Sequence, residues 1–315
     1  MSRQRLARRS IRLSGHAVVV AALISAVSTP ALAAAKPGGH GGGGGAATTT
    51  GNDVSDPQCG SALPSAPAFA IVGLTGGLAN NLNPCFGPSA SYPRYTQSEL
   101  YWATSSATGA TSQPKVSLYV NTADPGNVYN GTVIADWPTS SASTDPYGSC
   151  TTTTLTSGTY TVGENSDACA WQYGYNKASQ DAAWLTAAAT AINKQESLLS
   201  VSASAGSYPW WLDVETANTW QADTTMNVAD LQGMIAGLKA AGATTVGAYS
   251  TASQWNTVTG GTNSSSGSLY GIPEWLPGAR TLSGATAACS QTPFTGGQIT
   301  LTQWFSRPFD SDFAC

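Results

Sequence analysis

Between Phe69 and Trp304, apolar runs too short for helices alternate with longer stretches of helical periodicity. The strand-like runs are 69–74 (FAIVGL), 115–121 (KVSLYVN), 210–215 (WWLDVE), 244–250 (TTVGAYS) and 298–304 (QITLTQW). Between them lie helix-like stretches at 98–108, 177–195 (KASQDAAWLTAAATAINKQ) and 227–241 (NVADLQGMIAGLKAA), the last stopped by Gly242. Strand–helix–strand order produces an α/β fold with a parallel sheet, whose strands are apolar on both faces. No GxGxxG or P-loop follows an early strand, so a closed barrel is expected over an open nucleotide-binding sheet. The expected fold is therefore a single-domain (β/α)₈ TIM-like barrel, irregular in its later helices. Residues 127–170, rich in Ser, Thr and Gly, break the rhythm and are expected as an elaborated loop. No internal repeat is present.

Residues 1–35 read as a secretory signal: five arginines precede the run AVVVAALISAV, and Ala31-Leu32-Ala33 forms a small-residue cleavage site. No later stretch approaches the roughly 18 apolar residues of a membrane span. Residues 36–51 (KPGGHGGGGGAATTTG) are expected to be a flexible linker, because glycine buries no apolar surface. The domain then occupies residues 52–315, close to the ~250 residues of a single barrel. The secreted product, extracellular or wall-associated, is expected as a monomer with no membrane contact once the signal is removed.

Composition narrows the chemistry. Setting aside residues 1–35 leaves 8 basic against 17 acidic residues and no basic cluster, which argues against nucleic acid as a partner. Both histidines, His16 and His40, precede the domain, so a Ser-His-Asp triad and histidine-held metals are excluded from it. No metal or organic cofactor is expected. Carboxylates remain as the natural acid–base groups. Six cysteines in an exported chain imply three disulfides. Fifteen pairings are possible; the sequential one, Cys59–Cys85, Cys150–Cys169 and Cys289–Cys315, closes the shortest loops.

WWLDVE ends in two acids spaced two apart. In a strand, Asp213 and Glu215 share a face about 6.6 Å apart at ~3.3 Å rise per residue. At the C-terminal end of a barrel strand that face looks into the mouth where active sites form. Two carboxyls held close and partly buried cannot both ionise cheaply, so one keeps its proton. Glycoside hydrolysis uses such a pair. The same DxE could equally serve a turn and a surface ion pair.

Further segments carry a resemblance. Asp53-Val54-Ser55-Asp56-Pro57-Gln58-Cys59-Gly60 resembles a DVSxxQG strand, and FAIVGLTGG (69–77) resembles FAIIKATEG. Leu212–Glu215 matches LDVE, Tyr249 to Trp255 a YxxxxxW region, and Pro273-Glu274-Trp275 a PxW strand. Thr302-Gln303-Trp304 resembles a closing WQY, followed by a loop holding DxN at Asp310-Ser311-Asp312. In this order the motifs resemble glycoside hydrolase family 25, the N-acetylmuramidase lysozymes that cut peptidoglycan. The resemblance implies a secreted hydrolase of β-1,4 bonds in a cell-wall polysaccharide. Glu215 would be the general acid and Asp213 would orient or stabilise the 2-acetamido group. Asp53 and Asp310 would be further carboxylates at the mouth, with Asp312 the alternative fourth acid. Tyr119, Tyr249, Trp255, Trp275, Gln303 and Trp304 would bind substrate. KATEG becomes GLTGG, losing a lysine and a glutamate, and YHF becomes Tyr119-Val120-Asn121, losing a histidine. A wall-binding protein without turnover, and a hydrolase of another amino-sugar polymer, therefore stay open. Trp102, Trp184 and Trp220 are expected in helices and core, and Trp171-Gln172-Tyr173 as loop packing near Cys169.

Overall fold

The computed structural model describes residues 49–315 apart from 143, 156, 157, 159 and 262–268. The expected signal segment and most of the glycine-rich linker lie outside the described residues. Among those described, no helix is long and apolar enough to cross a membrane.

The chain runs through β1 (Thr50–Val54), β2 (Ala70–Gly73), α1 (Glu99–Ser106) and β3 (Val116–Asn121). Two small hairpins follow, β4 (Val128–Tyr129) with β5 (Thr132–Val133), and β6 (Thr152–Thr154) with β7 (Thr161–Gly163). Then come α2 (Asp167–Gln195), β8 (Trp210–Asp213), α3 (Thr224–Ala240), β9 (Val246–Tyr249) and α4 (Ala252–Thr259). The chain closes with β10 (Glu274–Ala279), α5 (Leu282–Ala288), β11 (Ile299–Trp304) and β12 (Asp310–Ala314).

Eight strands close a barrel in the order β1-β12-β11-β10-β9-β8-β3-β2. It departs from a regular (β/α)₈ pattern at its seam. β12 runs antiparallel to both β1 and β11, pairing Asp53 with Asp310 and Gln303 with Asp312. No α-helix separates β1 from β2 or β11 from β12. β1 starts at Thr50, inside the stretch expected as linker, because Thr50 and Gly51 pair with Phe313 and Asp312. Asp310 and Asp312, expected in a loop, lie on a strand.

Residues 122–166 carry the two hairpins, and α2 begins ten residues earlier than its alanine-rich core suggested. Its N-cap is Ser166, whose side chain accepts from the Cys169 amide. Trp171-Gln172-Tyr173 is therefore helical, not loop. α2 packs closely on α3 through glycine: a Cβ on Gly174 would overlap the Asp230 carbonyl, and one on Gly233 the Trp171 carbonyl. The three disulfides are those of the sequential pairing.

Two buried acids away from the mouth affect stability. Burial raises Glu99, 1% exposed, to about 7, against a lowering bond from Asn83. Burial likewise raises Asp124, 0% exposed, to about 6, against bonds from Gln221 and the Gly126 amide. The folded state holds these protons at pH values where the unfolded chain has released them. From these two groups, stability falls as pH rises from about 4.5 to 7. Each group contributes a slope of at most ~1.4 kcal/mol per pH unit. Thermal melts of the full chain should give a higher midpoint at pH 5 than at pH 7.5, and Glu99→Gln should flatten that trend. A midpoint that climbs with pH would contradict it.

Candidate active site

Strand alternation divides the barrel residues into two sets. Trp210, Leu212 and Val214 face outward into the core beneath the helices, while Trp211 faces the barrel interior. Asp213 follows Trp211 inward. Similar parity carries Asp53, Tyr119, Tyr249, Trp275 and Gln303 to the interior end from which the strands exit. There a cavity of about 220 Å³ is lined by Asp53, Ser55, Pro57, Gln58, Tyr119, Asp213, Glu215, Tyr249, Trp275, Gln303 and Asp310. Glu215 lies just past β8 and is half-buried.

The floor is aromatic. Trp275, 2% exposed, meets Tyr249 edge-to-face at 4.5 Å and Tyr119 at 6.0 Å. Gly73 and Gly247 make room for it: a Cβ on Gly73 would come within 2.7 Å of the Tyr119 ring, and one on Gly247 would strike Trp211. Gly73 stands where the resembled motif has its lysine, and the phenol of Tyr119 takes that space.

The acids fall into two groups. Asp213 Oδ2 accepts from Asn121 Nδ2 at 2.5 Å. Thr75 fixes that amide, donating from its hydroxyl to Asn121 Oδ1 at 3.0 Å and accepting from the Asn121 backbone. Burial first, then the Glu215 charge, pushes the Asp213 carboxyl well up, against the lowering Asn121 bond. Its Oδ1 has no protein partner. The backbone beyond is pinned: Trp220 Nε1 donates to the Glu215 carbonyl at 2.8 Å, and Asn218 Nδ2 to the Asp213 carbonyl at 3.1 Å. Trp220 thus sits in the β8–α3 loop, where it was expected on a helix.

Asp53 and Asp312 form the second group. Asp312, 0% exposed, lies beneath the cavity wall and accepts from Trp275 Nε1 at 2.9 Å. Burial lifts it well above the carboxylate range, and the Asp53 charge adds to this. The interaction between the two carboxyls raises Asp312 and lowers Asp53. Burial raises Asp53 to about 6, opposed by Gln303, whose Nε2 donates to Asp53 Oδ2 at 3.0 Å. Tyr249 OH in turn donates to Gln303 Oε1 at 3.0 Å. Asp310 is half-buried at the rim and raised by desolvation.

The structure brings together Glu215, Asp213, Asp53, Asp310, Tyr119, Tyr249, Trp275 and Gln303 around one cavity. Asp312 supports it from below. Two expected aromatics do not line it. Trp255 is 2% exposed on α4 and packs against Phe294 at 5.3 Å, so it belongs to the core. Trp304 follows Gln303 directly; when Gln303 faces in, alternation turns Trp304 out. Residues missed from sequence are Ser55, Gln58, Asn121 and, along an adjoining groove, Gln254, Arg280 and Phe305. Ser55, Gln58 and Asn121 stood inside the resembled motifs; nothing local marked the others.

A family model described as "Lysozyme-like protein 1" matches residues 188–271, which contain β8, α3, β9 and α4. A relative named "Probable GH family 25 lysozyme 4", from Dictyostelium discoideum, is 45% identical over 51 residues, 16% of this chain and 23% of that protein. Over this part of the barrel the chain is similar to lysozyme-like, family-25 sequences. The chain spans less than a quarter of the length of that relative. Among solved structures, a muramidase from Trichobolus zukalii aligns over 85% of this chain and 94% of its own at 15% identity and TM-score 0.41. The bacterial lysozyme from Streptomyces coelicolor aligns over 85% and 92% at 16% identity and TM-score 0.42.

Proposed function

We propose that this protein is a secreted glycoside hydrolase that cuts β-1,4 bonds of peptidoglycan by carboxylate acid–base chemistry. The observation that carries the reading is the convergence of Asp53, Asp213, Glu215 and Asp310 on one aromatic-floored cavity. Binding neutral sugars needs no such acids, whereas an oxocarbenium-like transition state is served by a pair of carboxyls. Glu215, on a pinned turn and lining the cavity, is placed to protonate the departing glycosidic oxygen. Asp213 lines the same space, and its Oδ1, which has no protein partner, would receive the N–H of a 2-acetamido group. Asn121 holds its other oxygen, so the carboxyl cannot swing away. The Asp53–Asp312 pair holds one proton between two carboxyls, which limits the anionic charge under the substrate. Trp275, Tyr119 and Tyr249 supply apolar surface for a ring.

One observation favours a second reading, glycan binding without turnover. Gly73 and Gly76 replace the lysine and glutamate of the resembled motif, and Tyr119 fills the vacated space. Purified peptidoglycan incubated with the full chain separates the two. Loss of turbidity with release of reducing ends supports hydrolysis. Sedimentation of the protein with the wall, without reducing ends, would replace it with the binding reading.

A further inference from the structure

The cavity opens into a larger groove of about 590 Å³, sharing Glu215, Tyr249, Gln303 and Asp310 with it. One wall of the groove is the start of α4, with Thr251 and Gln254; the other is the end of β10 and the turn after it, Pro277 to Arg280, with Phe305. These walls differ in character from the acidic inner cavity. Phe305 is 60% exposed and offers its ring to the groove. It is held in place by its amide, which donates to the Ala279 carbonyl at 3.1 Å. The Arg307 guanidinium lies 5.5 Å over the ring. Arg280 lines the groove with no carboxylate within ion-pair distance; among the described residues the salt bridge is Lys177–Asp136. Gln254 Oε1 is buried in the opposite wall without a hydrogen-bond partner.

Seven basic side chains occur in the described residues: Arg94, Lys115, Lys177, Lys194, Lys239, Arg280 and Arg307. Two of them stand at this end of the groove, beside an inner cavity lined by four acids. A neutral polymer would need no such cation. A polymer bearing carboxylates would be repelled by the inner acids unless an outer cation received its charge.

We propose that Arg280 determines specificity by pairing with a carboxylate carried on the glycan, on a sugar unit seated in the outer groove over Phe305. The proposal rests on reading the cleft as a glycan site. A guanidinium and a carboxylate match in a two-bond fork, and Gln254 across the groove accepts an N–H or O–H from the same unit. Two sources share this chemistry: a lactyl ether carboxylate on the ring, or a carboxylate of an attached peptide.

The test measures binding by calorimetry in a Glu215→Gln background, so that turnover does not enter. Three oligosaccharides of equal length are used: neutral N-acetylglucosamine only, alternating units with free lactyl carboxylates, and the same units carrying peptide stems. One of the two acidic forms should bind about tenfold tighter than the neutral one, as expected for one charge-assisted pair. Arg280→Gln should collapse that ratio toward one, and Arg280→Lys should restore part of it. Which acidic form shows the effect identifies the source. An unchanged ratio in Arg280→Gln, or equal weakening toward all three sugars, overturns the assignment to Arg280. No affinity for any of the three overturns the glycan reading of the cleft itself, and the two failures are distinct.

Discussion

Glu215→Gln should reduce the release of reducing ends from purified peptidoglycan by about a thousandfold, within the range of 10²–10⁴ for loss of a positioned proton donor. Glutamine keeps the size of the side chain and its capacity to donate a hydrogen bond, but it has no proton to transfer. The turn beneath it is fixed by backbone acceptors, since Trp220 Nε1 and the Asn218 amide both donate to the carbonyl of residue 215. The substituted side chain should thus occupy the same place. Co-sedimentation with the wall and the thermal midpoint should stay near wild type, so that the loss registers in turnover. A variant that clears walls at the wild-type rate would remove Glu215 from the mechanism and leave the other carboxyls to be reassigned.

The second large effect is structural. Gly233→Ala should destabilise the protein by about 3 kcal/mol or more, at the upper end of what overpacking costs. The added methyl would overlap the Trp171 carbonyl, a backbone atom that cannot rotate aside. Relief requires α2 and α3 to separate, and Gly174 and Gly237 set the same spacing from either side. Trp171 and Tyr173 belong to a second core cluster that includes Ala229 of α3, so separation opens that core too. Gly242→Ala makes a useful contrast, because its strain comes from a φ of +102° and not from a neighbour; it should cost less. Chemical denaturation of both variants checks this, and a Gly233→Ala midpoint equal to wild type would mean the helices are not locked by contact.

How far the sequence reveals this arrangement depends on which kind of signal a residue carried. WWLDVE was readable because a continuous apolar run fits only a strand covered on both faces, and its i, i+2 acids then share a side. The same alternation, applied to Gln303-Trp304, would have excluded Trp304 from the cleft; a motif match treated neighbours as equivalent when a strand sends them to opposite faces. Trp255 failed for a different reason. Its distance from Tyr249 matched, but whether a residue one turn into α4 looks toward the mouth or the core depends on helix packing. β12 escaped notice because its polar sequence, DSDFA, lacks the apolar run by which buried strands are recognised; of its two acids Asp312 is buried and Asp310 half-buried at the rim. The start of α2 was marked by Ser166-Asp167, a capping signal outweighed by the surrounding Ser- and Thr-rich composition. Asn121 and Arg280 act through partners more than ninety residues away or through a groove wall, and no local pattern encodes either.

The antiparallel seam has a temporal consequence. Residues 310–314 complete the ring by inserting between β1 and β11, and they also bring in Asp310 and Asp312. During synthesis, every earlier strand can emerge and fold while the cleft still lacks its wall and two of its acids. A polypeptide cut short before residue 310 would leave the ring open between β1 and β11 and would lack Asp310 and Asp312.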